Sequence, residues 1–187
     1  MKKIALSIGI FLALFIVSCE GPNGPPGPVG PEGLPGLDGI QGQVFEVEGV
    51  NFDYDSGNNV YNTVLQFSDF TSFEILDSDA VLVYRFDGQI DFDDGSTKDS
   101  WGLIPQNFFL PGGTIQYVTS HTSNDVQIFI DGNFNLANIS TEFTDNQIFR
   151  VVILPSDFAA NAKVDKANID AVMRTLNLEE KDVRQLR

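Results

Sequence analysis

Hydrophobic and polar positions follow four different patterns along the chain. Residues 4–17 form an apolar run that only one serine and one glycine interrupt. Residues 21–42 carry a glycine at every third position. From residue 44 to about residue 155, short apolar runs alternate with turn residues, and residues 156–187 place apolar side chains at helical spacing. These patterns predict four segments, which are residues 1–18, 19–43, 44–155 and 156–187.

The third segment, residues 44–155, is predicted to be a mainly β head domain. Its runs are rich in Phe, Val, Ile and Thr, and Gly, Asn and Asp separate them. Strands at this spacing are typical of an antiparallel β-sandwich or jelly-roll-like fold. The predicted strands are Val44–Val50, Val60–Phe67, Ala80–Phe86, Gln89–Asp93, Thr114–Thr119, Val126–Ile130, Asn133–Leu136 and Phe149–Leu154.

Two Asp-Gly pairs predict tight hairpins, because the preferred two-residue turn needs positive φ at both positions. Asp87-Gly88 would join Ala80–Phe86 to Gln89–Asp93, and Asp131-Gly132 would join the strands on either side of it. Ala80–Phe86 is apolar on both faces, which predicts a central strand. The first hairpin would direct Val81, Val83, Ile90 and Phe92 to the core, and Gln89, Asp91 and Asp93 to solvent.

The fourth segment is predicted to form short α-helices that pack on the head. Asp165 can cap a helix whose apolar side chains fall at helical spacing. Asn177 followed by Glu180 predicts a second helix start. The apolar residues are Ile169, Val172, Met173 and Leu176 in the first helix, and Val183 and Leu186 in the second.

The first segment has the properties of an export signal. Lys2 and Lys3 precede an apolar run shorter than the ~20 residues that a transmembrane helix needs. The run ends in Ile16-Val17-Ser18-Cys19, which resembles a bacterial lipobox. This resemblance implies that Cys19 carries lipid and that residues 1–18 are removed. The alternative is an ordinary transmembrane anchor or cleaved signal with an incidental cysteine.

The second segment has the Gly-X-Y period of collagen. Six of the nine prolines in the chain lie between these glycines. Proline favours the polyproline II conformation, and only glycine fits at the axis where three such chains meet. The glycines of the repeat are Gly21, Gly24, Gly27, Gly30, Gly33, Gly36, Gly39 and Gly42.

A lipobox, a short Gly-X-Y tract and a globular head in this order resemble the bacterial collagen-like surface lipoproteins. The resemblance implies a membrane partner through lipidated Cys19, a stalk over residues 19–43, and a homotrimer formed by the tract. It also implies a location in the cell envelope, at the outer membrane. Eight triplet glycines make a short tract, so a monomeric polyproline spacer is the alternative.

Composition excludes several classes of function. The net charge is −15, a sign opposite to that required for binding a phosphate backbone, so no nucleic-acid partner is expected. One Cys and one His cannot form a four-ligand zinc site, an iron–sulfur cluster or an internal disulfide. His121 lies with Ser120 and Asp125 on one short polar stretch, whereas a catalytic triad brings residues together from different elements. No catalytic residues are therefore predicted, and the chain is not expected to be an enzyme.

An acidic stretch is the best ligand candidate in the head. Calcium favours several carboxylate and carbonyl oxygens, and this stretch supplies five aspartates within thirteen residues. A solvated acidic surface that opposes aggregation explains the same residues, and no other cofactor is expected. Trp101, the only tryptophan, is either a sugar-stacking platform or part of the core or its rim. The calcium candidates are Asp87, Asp91, Asp93, Asp94 and Asp99.

These observations together predict a non-enzymatic, lipid-anchored envelope protein. Its collagen-like stalk would display an acidic β-rich head in a structural or adhesive role, with a ligand that the sequence does not identify. The alternative is a monomeric carbohydrate- or calcium-dependent binding module on a flexible tether.

Overall fold

The computed structural model describes residues 42–72, 75–156 and 163–186. The predicted signal, and the predicted stalk except for its last two residues, lie outside these ranges. The described residues contain one α-helix, α1, at Ile169–Thr175. Their strands are β1 (Gln43–Val50), β2 (Asp53–Asp55), β3 (Val60–Gln66), β4 (Ala80–Asp91), β5 (Thr97–Leu103), β6 (Gln106–Leu110), β7 (Gly113–His121), β8 (Asp125–Gly132), β9 (Gln147–Leu154) and β10 (Arg184–Leu186).

Five strands form sheet A, in the order β10, β1, β9, β4 and β5. Neighbouring strands are antiparallel except β1 and β10, which run parallel. β9 lies in the middle, and the side chains of its last four residues are all buried. The prediction that Ala80–Phe86 belongs to a central strand is confirmed, because β4 pairs with β9 on one side and β5 on the other.

The other five strands form sheet B, in the order β2, β3, β8, β7 and β6, all antiparallel. The inner faces of the two sheets meet in one apolar core. Two sheets packed in this way form a β-sandwich, so the predicted mainly β class is confirmed. The core includes Phe45, Val83, Phe149 and Val151 from sheet A, and Leu65, Ile115, Tyr117, Ile128 and Ile130 from sheet B.

The predicted hairpin at Asp87-Gly88 is wrong, because β4 continues through these residues. The pairing with β5 shifts register between Phe86 and Gly88, so the glycine, with φ of 113°, belongs to a β-bulge. The turn comes later, where the amide of Gly95 donates to the carbonyl of Phe92 at 2.9 Å. Gly95 has φ of 83°, so Asp94-Gly95 is the Asp-Gly pair that reverses the chain.

The predicted hairpin at Asp131-Gly132 is also wrong, and residues 133–136 form no strand. The amide of Asn133 donates to the carbonyl of Thr114 at 3.2 Å, and its side-chain oxygen accepts from the amide of Thr114 at 2.8 Å. These bonds hold Asn133 beside β7 after the chain has left β8. Leu136 is completely buried, so the apolar residue that suggested a strand belongs to a loop that fills the core.

The tail forms one of the two predicted helices. The apolar residues of the first helix are buried as predicted, but its N-cap is Asn168, whose side chain accepts from the amide of Ala171, and not Asp165. The second predicted helix is a single 3-10 turn, Glu180–Asp182, followed by β10. Val183 is buried, whereas Leu186 lies in β10 beside Val47 of β1.

The tail covers the outer face of sheet A with a second apolar cluster. Val152 and Leu154 of β9 point away from the sandwich core and belong to one cluster with apolar residues of the tail. The hydroxyl of Tyr84, which is buried in the same cluster, donates to the carbonyl of Lys166 at 2.6 Å. Sheet A is therefore buried on both faces along β9.

Tyr117 gives the head a predictable response to alkaline pH. Its hydroxyl donates to the carbonyl of Phe143 at 2.5 Å, and burial raises its pKa to about 12. The folded chain therefore holds this proton more tightly than the unfolded chain, whose tyrosines have a pKa of ~10. The resulting stability is complete below pH ~10 and is lost as the pH rises toward ~12.

We expect urea unfolding to show a loss of about 2–3 kcal/mol attributable to Tyr117 between pH 9 and pH 12. Tyr117→Phe removes the ionising group, so the variant should lose less stability over this interval than the parent chain. Its stability at pH 7 should fall by about 1 kcal/mol, because a hydrogen bond is lost. Identical pH dependence in the two proteins would contradict this assignment.

Candidate functional site

Most of the residues predicted to attach and extend the chain lie outside the described residues. These are Cys19 and the glycines from Gly21 to Gly39. Gly42, the last glycine of the repeat, is described and is buried at the start of β1. A Cβ atom at this position would lie 2.4 Å from the side chain of Leu176. Gly42 therefore has a packing role in the head that is separate from the triplet period.

The acidic residues lie on the distal hairpin, which we define as residues 88–99. Gln43 of β1 is level with Val81 of β4, because both pair with Ile153. Four residues of β4, 88–91, then extend beyond the first residue of β9, which corresponds to about 13 Å of strand. The distal hairpin therefore projects from the end of the sandwich opposite Gly42, and residues 89–99 are all exposed.

The five calcium candidates do not converge. Asp87 accepts hydrogen bonds from Arg85 and Gln106 at the base of the hairpin, at 2.9 Å and 2.8 Å. Asp91 accepts from the hydroxyl of Thr97 at 2.8 Å. Asp94 accepts from the hydroxyl of Ser96, and Asp99 accepts from the side-chain amide of Gln89. Asp93 is exposed.

These contacts show that four of the five aspartates accept hydrogen bonds from neighbouring residues of the protein. Within the described parts of the chain, no three His, Cys, Asp or Glu side chains are grouped so that they could hold a metal ion. Hydrogen bonds from the side chain and backbone of Ser96 lower the pKa of Asp94, which keeps this carboxylate charged at the turn. The aspartates therefore give the hairpin a negative surface.

The prediction that Ile90 and Phe92 belong to the core is wrong. They lie on the same side of the ribbon as Val83, but they are 51% and 46% exposed, in the part of the ribbon that extends beyond β9. Lys98 pairs with Ile90 across the hairpin, and its ammonium lies 5.9 Å from the centre of the Phe92 ring. The distal hairpin therefore carries an apolar side as well as its acidic residues.

Trp101 belongs to a buried cluster on the outer face of sheet A. The guanidinium carbon of Arg150 lies 4.2 Å from the centre of the indole ring, and Phe86 packs at 5.3 Å. The Nε atom of Arg150 donates to Glu46 at 2.7 Å, and its terminal nitrogens donate to Glu180 of the tail. With Arg150 and Phe86 against it, Trp101 is half-buried, and its remaining surface lines a cleft of about 320 Å³ beside Asp170 and Glu180.

His121 is exposed at the end of β7, where it pairs with Val126 in the ladder. Asp125 accepts a hydrogen bond from the hydroxyl of Thr122 at 2.8 Å, which closes a tight turn between two strands. The structure therefore places this polar stretch at a turn between β7 and β8.

Comparisons of the chain with protein families, with characterised proteins and with solved structures gave no match. In the described part of the chain, no helix has the length and apolar character needed to cross a membrane.

Proposed function

We propose that this chain is a lipid-anchored protein of the bacterial cell envelope that displays its β-sandwich head in a structural or adhesive role without catalysis. The observation that carries the proposal is the order of three features. A sequence that resembles a lipobox ends at Cys19, an unbroken Gly-X-Y tract follows, and the first strand of the head begins one residue after Gly42. Each feature is expected in a protein whose head is held away from a membrane.

The arrangement of the head supports display. The predicted tether precedes Gly42 in the chain, so the opposite end of the sandwich is the one that we propose meets a partner. That end carries the distal hairpin, with Phe92 and Ile90 exposed beside several aspartates. Exposed apolar side chains within a charged rim are common at protein contact sites. The distal hairpin is therefore the adhesive surface in this proposal.

The number of chains in the assembly depends on the Gly-X-Y tract. Residues 44–155 contain seventeen acidic and three basic residues, so like charges oppose direct association of heads. A trimer would be held by proline, by glycine packing at its axis, and by the proximity of three lipid anchors. We propose the trimer, with the monomeric spacer as the outcome that would replace it.

A single substitution in the tract tests the trimer. Gly33→Ala places a methyl group at the crowded axis, so the chain of residues 20–187 should change from a trimer to a monomer in sedimentation equilibrium. Glu32→Ala is the matched control, because it changes a neighbouring position that faces away from the axis. Circular dichroism should show a low-temperature melt that Gly33→Ala abolishes and Glu32→Ala retains. A monomer for the unsubstituted chain would favour the spacer.

A further inference from the structure

Three strands of sheet B form a cleft on the face turned away from the core. Asn62 of β3 lies opposite Phe129 of β8, and Phe129 lies opposite Val118 of β7. Gln127 is two residues before Phe129 and therefore points to the same side. The sheet B cleft, which these residues line with Asp55 and Asp131, has a volume of about 520 Å³.

Two side-chain amides of the sheet B cleft are not used by the fold. The side-chain amides of Asn62 and Gln127 are half-buried, yet they make no hydrogen bond within the described residues. Two other amides of the head are bonded, since Asn59 donates to the carbonyl of Phe134 at 2.8 Å and Gln147 accepts from Arg85 at 2.9 Å. Two half-buried amides in a cleft thus retain donors and acceptors for a ligand.

Two carboxylates at the margin of the cleft add acceptors with fixed positions. Asp55 accepts from the backbone amide of Gly57 at 2.9 Å and from the side chain of Asn58 at 2.7 Å. The hydrogen bond from the Asn58 side chain, followed by that from Gly57, lowers the pKa of Asp55. Asp131 accepts from the amide of Gly132 at 2.7 Å. Both side chains can accept further hydrogen bonds from hydroxyl groups.

The chemistry of these residues selects the class of ligand. No basic residue lines the cleft, and its carboxylates repel phosphate, sulfate and a second copy of this acidic head. An apolar ligand would leave the amides of Asn62 and Gln127 unpaired. A neutral sugar provides hydroxyl groups for the amides and carboxylates, and an apolar C–H face for the ring of Phe129. We propose that the sheet B cleft binds a neutral glycan.

This site goes beyond display by a lipid anchor and does not depend on it. It also differs from the sugar site considered from the sequence, because Trp101 lies on sheet A under Arg150. In the sequence, the cleft is indicated only weakly, by the pattern Gln127-x-Phe129-x-Asp131. Alternation shows which residues share a face of a strand, but not whether other residues cover that face.

Native affinity gels containing dextran, mannan, xylan or galactan test the proposal. The full chain, in a polyoxyethylene detergent that contains no sugar, should be retarded by at least one of these polysaccharides. Gln127→Met and Asn62→Leu preserve much of the side-chain size and remove the amide, so each should weaken binding by about tenfold. Phe129→Leu should also weaken binding, because it removes the ring but keeps an apolar side chain.

Phe109→Ala is the matched control. This aromatic side chain is 84% exposed on β6 of the same sheet but does not line the cleft, so its loss should leave the retardation unchanged. All four variants should keep the parent melting temperature within a few degrees. The proposal is overturned if none of the four polysaccharides retards the chain, or if the cleft variants bind as strongly as the parent. A further gel contains poly-lysine in place of a polysaccharide. If only this gel retards the chain, and salt abolishes the retardation, the ligand is a basic polypeptide and the proposal is overturned.

Discussion

Replacing Arg150 with methionine is expected to lower the free energy of unfolding by about 3–5 kcal/mol, because it leaves a buried carboxylate without its partner. Only 4% of the Arg150 side chain is exposed, and its partner Glu46 is 11% exposed. The same guanidinium covers Trp101 and reaches Glu180 in the tail. One side chain thus joins two strands of sheet A to the tail. Urea unfolding at pH 7 measures the loss.

The cause can be separated by adding a second substitution. In the double variant Glu46→Gln with Arg150→Met, no uncompensated charge is buried, so we expect much of the lost stability to return. Lys181→Met is the control for an exposed pair, since Lys181 and Glu179 are 72% and 71% exposed, and it should cost less than 1 kcal/mol. A loss below 1 kcal/mol for Arg150→Met, or no recovery in the double variant, would contradict this account.

Ending the chain at Pro155 is expected to abolish cooperative unfolding. The tail buries five apolar side chains on sheet A, and complete burial of such a side chain is worth about 1.5–3 kcal/mol, an upper estimate. Their sum is comparable with the total stability of about 5–15 kcal/mol for a domain. The five side chains are those of Ile169, Val172, Met173, Leu176 and Val183.

Near-ultraviolet circular dichroism and a urea titration measure the effect of this truncation. The shortened chain should lose its near-ultraviolet signal and bind a dye for exposed apolar surface. A control that ends at Val183 removes only β10, an edge strand, and should retain a cooperative transition. A cooperative transition in the Pro155 truncation would show that the sandwich folds without the tail, which is contrary to our expectation.

The spacing of apolar residues along the chain was sufficient to predict much of the fold. Alternating apolar residues gave the β1, β3, β7, β8 and β9 strands to within two residues at each end, and helical spacing gave α1. Strands β2, β5 and β6 were missed, because sequences such as Thr97–Leu103 are largely polar and become strands only beside a partner. β10 was also missed, because it becomes a strand only by pairing with β1, at the other end of the described chain.

The two Asp-Gly errors share one physical cause. An Asp-Gly pair fits a hairpin, a bulge or the end of a strand, and the partner strand decides among these outcomes. Asp87 lies in a bulge because β5 pairs with β4 on both sides of it, and the turn moves to Asp94-Gly95. Local sequence likewise could not predict the buried ion pair, because Arg150 and Glu46 are 104 residues apart in the chain.

The most direct test of the proposed function is incorporation of a labelled fatty acid. A bacterial host that expresses the whole chain is grown with tritiated palmitate, beside a culture that expresses Cys19→Ser. We expect the unsubstituted protein to carry the label and to sediment with membranes, and the variant to carry none. An unlabelled protein recovered free in the medium would contradict the lipid anchor and, with it, the display of this head from the cell envelope.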